Sequence, residues 1–239
     1  MTDDVRTLAS ADDVADEAAA AIAAWIAQAH AGGHTVHIAL AGGTTPAATY
    51  ARLARSPVAW PAVHLWFGDE RMVAPDDAQA NAELARIALI EPAGIASGNV
   101  HRVLTDRSVD EAARAYGDEI LRMLPADAAG VPRFDLVMLG LGEDGHVASL
   151  FPHAATLTAT DVCLAVRNSP KPPPERVSLS LPVINAATRR LVVTTGAGKA
   201  DALARMAGSP DPATPASLLR SAGTTVVCDT AAAALLRRR

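Results

Sequence analysis

The stretch Phe134-Asp-Leu-Val-Met-Leu-Gly-Leu-Gly-Glu-Asp-Gly-His-Val-Ala-Ser-Leu-Phe-Pro152 decides how the rest of this chain is interpreted. It begins with an apolar run typical of a buried strand and then breaks into three glycines, two carboxylates and one imidazole. A segment compatible with a short helix, 147–150, follows at once. In an open α/β sheet the turn after a strand is where ligands bind. We therefore expect His146 to do chemistry, because an imidazole with a pKa of about 6.5 exchanges protons near neutral pH.

The composition limits what can surround this stretch. Single α/β domains of about 200 to 250 residues are common, and this chain of 239 residues has no repeat or linker, so we predict one domain spanning 1–239. Hydrophobic residues make up 50% and aromatic residues only 3%. The core is therefore expected to consist of Ala, Val and Leu, which favours helices packed closely on a sheet.

Charge and cysteine content indicate the partners and the compartment. The net charge is −5 and the one basic block is Arg237–Arg239, so nucleic acid is not an expected partner. The N-terminus lacks a signal-type segment, and the alanine-rich run 18–29 is too short and amphipathic to cross a membrane. Cys163 and Cys228 form neither a disulfide framework nor a zinc site. These features predict a cytoplasmic protein with no membrane association and no obligate protein partner.

Strand-like and helix-like segments alternate along the chain. This alternation predicts an α/β fold with a doubly wound, mostly parallel sheet and helices on both faces. Helices are predicted at 10–31, 46–55, 78–90, 109–124 and 199–206. Strands are predicted at 35–40, 63–67, 134–139, 161–166, 177–181, 191–195 and 224–228, the last of which is expected to close the sheet.

Four polar turns follow predicted strands. They are 42–44, 69–71, 143–146 and 198–199. The carboxyl ends of parallel strands meet at one edge of a sheet. We therefore predict that all four turns contribute to one site.

The first of these turns has the properties of a phosphate site. Gly42, Gly43 and Thr44 precede a helix, so free backbone N–H groups and the positive end of the helix dipole suit an anion. A tight turn with a helix cap explains the same residues equally well. Three basic side chains lie on or beside loops at the same edge, and although each alone could be a solvated surface charge, together they favour an anion site. They are Arg71, Arg176 and Lys199.

The carboxylates at this edge allow more than one role. Asp69 could form a salt bridge with Arg71, or it could hold Arg71 or a substrate hydroxyl in place. His146 could simply bond backbone groups, but its neighbour Asp144 and its position before a predicted helix favour a catalytic role. The other histidines show no metal-binding spacing, so neither a metal nor another cofactor is predicted.

A dinucleotide site is a weaker interpretation of the same turn. Residues 140–145 match the pattern G-x-G-x-x-G after a strand. However, Glu143 and Asp144 would place negative charges where a pyrophosphate binds, and Asp161 begins the next strand instead of ending it.

Four segments together resemble a known family. They are Leu-Ala-Gly-Gly-Thr-Thr-Pro at 40–46, Trp-Phe-Gly-Asp-Glu-Arg at 66–71, the stretch 140–152, and Ser-Pro-Lys-Pro-Pro-Pro-Glu-Arg-Val at 169–177. In this order, and over nearly the whole chain, the sequence resembles the 6-phosphogluconolactonase family. Ala80 departs from the family, which usually has serine before the asparagine. The resemblance implies the Rossmann-like fold of the sugar-phosphate isomerase and CoA-transferase type. It also implies hydrolysis of a phosphorylated sugar lactone without metal or cofactor.

Glucosamine-6-phosphate deaminases share part of this pattern. Those enzymes typically carry Asn-Glu-Pro after the histidine, and their glutamate assists opening of the sugar ring. Phe151 stands at the place of that glutamate and cannot transfer a proton, so the deaminase alternative is disfavoured. A non-catalytic sugar-phosphate sensor is a further alternative, against which the intact His146 and Asp144 argue.

The resemblance also implies roles for individual residues. His146 is expected to act as the general base for the attacking water, with Asp144 orienting its ring. The residues expected to bind the substrate and its phosphate are Gly42, Gly43, Thr44, Asp69, Arg71, Arg176 and Lys199.

Overall fold

The computed structural model describes residues 4–236, and it contains nine strands and six α-helices in that range. The strands are β1 Asp4–Leu8, β2 Val36–Leu40, β3 Val63–Phe67, β4 Asp69–Arg71, β5 Leu136–Leu139, β6 Cys163–Val166, β7 Arg176–Leu179, β8 Arg189–Thr194 and β9 Thr224–Asp229. The helices are α1 Ala11–Ala31, α2 Thr44–Leu53, α3 Asn81–Ala85, α4 Val109–Met123, α5 Leu181–Ala186 and α6 Ala200–Met206.

A six-stranded sheet in the order β1-β9-β8-β5-β2-β3 forms the centre of the fold. All of its strand pairs are parallel, so their carboxyl ends lie at one edge, as predicted. Alternate residues of β5 belong to different hydrophobic clusters on the two faces. Val137 packs with residues of α4 and α6, whereas Met138 packs with residues of α1 and α2. Helices therefore cover both faces of the sheet, which confirms the predicted fold class.

A second, smaller sheet was not predicted. Its order is β4-β7-β6, and its pairs are antiparallel. β4 has only three residues, all of them charged, so its sequence carries no apolar pattern of a strand. It forms because β7 supplies a hydrogen-bonding partner next to the end of β3. This sheet brings the polar segment after β3 to the edge where the central strands end.

Two of the predicted helices, α1 and α4, begin at local capping signals. The Ser10 side chain accepts a hydrogen bond from the backbone N–H of Asp13 at the start of α1, and α1 ends at Gly32 and Gly33. Ser108 and Glu111 form a reciprocal capping box at the start of α4. These helices were predicted because their signals are local.

Three details of the prediction were wrong. The strand β9 does not close the sheet, because β1 pairs outside it. Residues 147–150 form a turn instead of a helix, since Ala148 has a φ of 48° and the Leu150 N–H bonds the Val147 carbonyl. The helix predicted from 78 begins at Asn81 and becomes a π-helical turn from residue 86.

Two further expectations concern the chain ends and membranes. The basic block Arg237–Arg239 lies outside the described residues. None of the helices described within 4–236 is long and apolar enough to span a membrane.

Candidate active site

A cavity of about 260 Å³ lies where β2, β5 and β8 end. Turns from four predicted positions meet at its wall, as the parallel sheet requires. The predicted residues that line it are Gly42, Gly43, Thr44, Asp69, Arg71, His146 and Lys199. Asp144 and Arg176 are not among the lining residues.

His146 and Asp144 form a hydrogen-bonded pair at this cavity. Nδ1 of His146 lies 2.5 Å from Oδ1 of Asp144, and the imidazole is 17% exposed. A carboxylate only accepts hydrogen bonds, so Nδ1 carries the proton and Nε2 is the basic atom. The loop therefore presents an imidazole whose tautomer is fixed by its neighbour.

Burial and the neighbouring charge act in opposite directions on this pair. Burial lowers the pKa of His146, and Asp144 offsets this effect only in part. Burial alone would raise the pKa of Asp144, but His146 reverses the effect and the net shift is downwards. The pair at neutral pH is thus a neutral imidazole beside a carboxylate, which is the state that a general base requires.

Two glycines allow this loop to hold the imidazole. A Cβ atom on Gly142 would lie 2.0 Å from Nδ1 of His146, so the ring occupies the space of a side chain. Gly145 has a φ of 91°, and its Cβ would lie 2.8 Å from Cγ2 of Thr214. The centroid of the Phe151 ring lies 4.8 Å from the centroid of the imidazole. The glycines therefore position a side chain instead of cradling a dinucleotide.

The glycine loop before α2 is fixed from two sides. The Tyr50 hydroxyl accepts a hydrogen bond from the Ala41 N–H at 2.8 Å and donates one to the Ala41 carbonyl at 2.7 Å. A Cβ on Gly42 would lie 1.9 Å from the Asn81 side-chain oxygen, so only glycine fits there. Gly43 then turns the chain into α2 with a φ of 107°. The start of α2 faces the cavity in a defined conformation.

Asp69 is buried, and the side-chain hydrogen bonds that it accepts come from neutral groups. Its Oδ2 accepts a 2.6 Å hydrogen bond from the Ser149 hydroxyl, and its Oδ1 accepts one from the Asn81 amide at 3.2 Å. The described structure contains no Asp69–Arg71 salt bridge. Arg71 instead donates from Nη1 to the Gln79 carbonyl, and its buried Nε has no hydrogen-bond partner among the described residues. Arg71 itself lines the cavity, so its positive charge lies beside it.

Glu70 stabilises the region behind the cavity. Its carboxylate accepts hydrogen bonds of 2.7 Å from the backbone N–H groups of Arg71, Asn81 and Ala82. Because the side chain is only 1% exposed, burial raises its pKa to about 7. Glu70 thus joins β4 to the start of α3, a role that the sequence analysis did not predict.

Lys199 reaches the cavity from a separate turn. It ends the 3-10 segment Ala197–Lys199, which begins after Gly196. The Gly196 N–H donates to both carboxylate oxygens of Asp229 at 3.0 Å. Asp229 is the last residue of β9, so these hydrogen bonds attach the turn before Lys199 to the central sheet.

Arg176 lies behind the cavity, and Lys171 lines it. The Arg176 side chain is 5% exposed, and its Nη1 is 4.0 Å from Oδ2 of Asp69. Its other donors bind the carbonyls of residues 171–173. Sequence reasoning did not single out Lys171, which sits among prolines with no pattern of its own.

The cavity brings a side chain that can exchange protons close to groups that suit an anion. The neutral imidazole supplies a base, while the start of α2, Arg71 and Lys199 supply N–H groups and positive charge. Among residues 4–236, no group of three or more His, Cys, Asp or Glu side chains is arranged to hold a metal ion.

Known proteins are similar to this chain in sequence and in fold. A family model described as "Glucosamine-6-phosphate isomerases/6-phosphogluconolactonase" matches residues 9–228. A 6-phosphogluconolactonase from Synechocystis sp. is 39% identical over 167 residues, which cover 70% of this chain and 69% of that protein. A 6-phosphogluconolactonase from Streptomyces coelicolor is 35% identical over 238 residues, covering 94% of this chain and 91% of that protein. The solved structure of 6-phosphogluconolactonase from Trypanosoma brucei superposes with a TM-score of 0.90 at 30% identity and covers 98% of each chain.

Proposed function

This chain belongs to the family of glucosamine-6-phosphate isomerases and 6-phosphogluconolactonases, and from that premise we propose how His146 and its cavity act on the substrate. The reaction is the hydrolysis of 6-phospho-D-glucono-1,5-lactone to 6-phospho-D-gluconate, the second step of the oxidative pentose phosphate pathway. The observation that carries the proposed mechanism is the imidazole of His146, oriented by Asp144 at the wall of the cavity.

His146 acts first as a base and then as an acid. Its Nε2 removes a proton from a water molecule whose oxygen attacks C1 of the lactone. The bond between C1 and the ring oxygen then breaks, and the ring oxygen receives the proton from Nε2. Asp144 stabilises the imidazolium formed between these two steps. A positioned acid or base of this kind contributes about 10²- to 10⁴-fold to the rate.

The phosphate of the substrate binds at the opposite wall. The N–H groups of Gly43 and Thr44, next to Gly42 at the start of α2, suit phosphate oxygens, and Arg71 and Lys199 supply the positive charge. Asp69, held by Ser149, orients a sugar hydroxyl. This arrangement fixes the lactone so that C1 faces His146.

The environment of His146 favours hydrolysis over deamination. Ring opening of an amino sugar requires a further proton donor beside the histidine, and Phe151 occupies that place with its ring 4.8 Å away.

Cys163 and Cys228 are free and buried, which fits a reducing compartment. We extend the proposal to a cytoplasmic enzyme acting as a single domain.

Proton release from freshly prepared 6-phosphogluconolactone tests the proposal. Catalytic amounts of the protein should accelerate it, whereas ammonia release from glucosamine 6-phosphate should not occur. His146→Ala should lower kcat by about 10²- to 10⁴-fold with a smaller effect on KM. His34→Ala, on an exposed histidine at the opposite edge of the sheet, should match the wild type. Stoichiometric binding without turnover would instead identify a sugar-phosphate sensor, and near wild-type turnover by His146→Ala would exclude the assigned base.

A further inference from the structure

We call the segment 168–175 the proline loop. It cannot form a regular series of backbone hydrogen bonds. Residues 172–174 are prolines and have no N–H groups, so their part of the loop offers only carbonyl oxygens. Ser169 makes the internal bonds: its N–H donates to the Pro174 carbonyl at 2.9 Å, and its hydroxyl donates to the Lys171 carbonyl at 2.8 Å. The carbonyls of Pro172 and Pro173 receive no hydrogen bond from within the loop and need donors from outside it.

Arg176 supplies these donors. Its Nη2 donates to the carbonyls of Lys171 at 2.9 Å and Pro172 at 3.2 Å, and its Nε donates to the Pro173 carbonyl at 3.2 Å. A guanidinium holds several donors in one rigid plane, which an ammonium cannot reproduce. One side chain therefore holds three consecutive carbonyls of the loop.

Arg176 is itself fixed on the protein side. It begins β7, where it pairs with Arg71 of β4. Its guanidinium carbon lies 5.7 Å from the centre of the Phe151 ring, and the Asp69 carboxylate faces its Nη1. Asp69 in turn accepts the Ser149 hydroxyl. The support of the proline loop is thus continuous with the loop that carries His146.

We infer that Arg176 is a positioning residue that holds the proline loop so that the Lys171 ammonium faces the bound anionic substrate. Lys171 lines the cavity together with His146, whereas Arg176 does not. The charge of Lys171 also contributes to lowering the pKa of both His146 and Asp144. This inference rests on the proposed lactonase function, and it gives Arg176 a role through Lys171 in place of direct phosphate binding.

A double-mutant cycle separates the two roles. Lys171→Met removes the ammonium, and Arg176→Lys keeps a charge but loses the planar set of donors. Each single variant should lower kcat/KM for the phosphorylated lactone by about 10- to 100-fold, the worth of a charge-assisted hydrogen bond. The double variant should lie within about twofold of Lys171→Met, because two residues acting through one contact are not additive. Multiplied losses would overturn the inference, because they would show that Arg176 contacts the substrate independently.

The pH profile gives a readout that a purely structural defect would not change. Lys171 helps to keep the pKa of His146 low, so its removal should move the acid limb of kcat/KM to higher pH. Arg176→Lys should reproduce this shift, and the double variant should add nothing further. Arg167→Lys, on an exposed arginine just before the loop, is the matched control and should behave as the wild type.

Two precautions keep the outcome decisive. If Arg176→Lys does not fold, Ser169→Ala loosens the same loop without altering the core, and it should show the same loss and the same dependence on Lys171. If Ser169→Ala loses activity equally with and without Lys171, the inference fails. A wild-type protein without lactonase turnover would refute the proposed function, whereas additive losses in an active enzyme would refute only the role of Arg176.

Discussion

Gly142→Ala tests whether the position of the imidazole determines the rate. The new Cβ would lie 2.0 Å from Nδ1 of His146 and 2.5 Å from Oδ1 of Asp144, whereas ordinary contact begins near 3.4 Å. The imidazole must therefore move by roughly 1.4 Å, although the Phe151 ring already packs against it. A displacement of about 1 Å can lower a rate about 10²-fold, so we expect a loss in kcat of at least that size.

The assay is proton release from fresh 6-phosphogluconolactone, corrected for spontaneous hydrolysis. KM should change little, because the substitution leaves the proposed phosphate-binding groups, the start of α2, Arg71 and Lys199, unchanged. Gly98→Ala is a control away from the cavity, since its Cβ would meet no atom within 4 Å. Thermal unfolding of both variants separates a local effect from a loss of folded protein. If folded Gly142→Ala kept more than a third of the wild-type kcat, the reasoning about the imidazole would be refuted.

Three further predictions concern the pair, the anion site and the fold. Asp144→Asn should lower kcat by about 10²- to 10⁴-fold. It should also move the acid limb of the kcat/KM profile to lower pH, because Asp144 raises the pKa of His146. An unchanged pH profile would contradict the pairing of these two side chains. Lys199→Ala should raise KM by about 10- to 100-fold for the phosphorylated lactone and spare an unphosphorylated one, and equal losses on both would exclude phosphate binding. Glu70→Gln places an amide nitrogen against a backbone N–H and should cost about 1 to 3 kcal/mol of unfolding free energy, measured by urea denaturation. The pKa of Glu70 is raised from 4.5 to about 7 in the folded protein, so its stabilisation is full below pH 4.5 and is lost as the pH rises through 7. The loss should therefore be larger at pH 5 than at pH 8, and the opposite order would contradict the assignment.

The strands β2, β3, β5, β8 and β9 of the central sheet were predictable because they are buried apolar runs, and α1 and α4 were predictable because they carry local caps. The convergence of the polar turns followed from a single rule about parallel strands. The segment from β2 to α2 is an example of the local patterns, since its sequence shows an apolar run, then two glycines, then a helical pattern. These features depend on residues that are close in sequence.

The features that were missed depend on contacts between distant segments. β4 is a strand only because β7 pairs with it, and β1 is placed by β9 from the other end of the chain. The contacts of Glu70 reach residues 81 and 82, which no local pattern connects with it. Arg176 illustrates the same limit, because its charge was visible whereas its burial behind the proline loop was not.

The two hydrogen bonds between the Tyr50 hydroxyl and the backbone of Ala41 have a thermodynamic consequence for binding. Adjacent glycines such as Gly42 and Gly43 lose more conformational entropy on ordering than other residues do. Tyr50 and the Asn81 side chain already restrict this loop in the folded protein. The entropy loss is therefore incurred when the chain folds, before substrate arrives. Contacts between the loop and the substrate can then contribute nearly their full free energy to affinity.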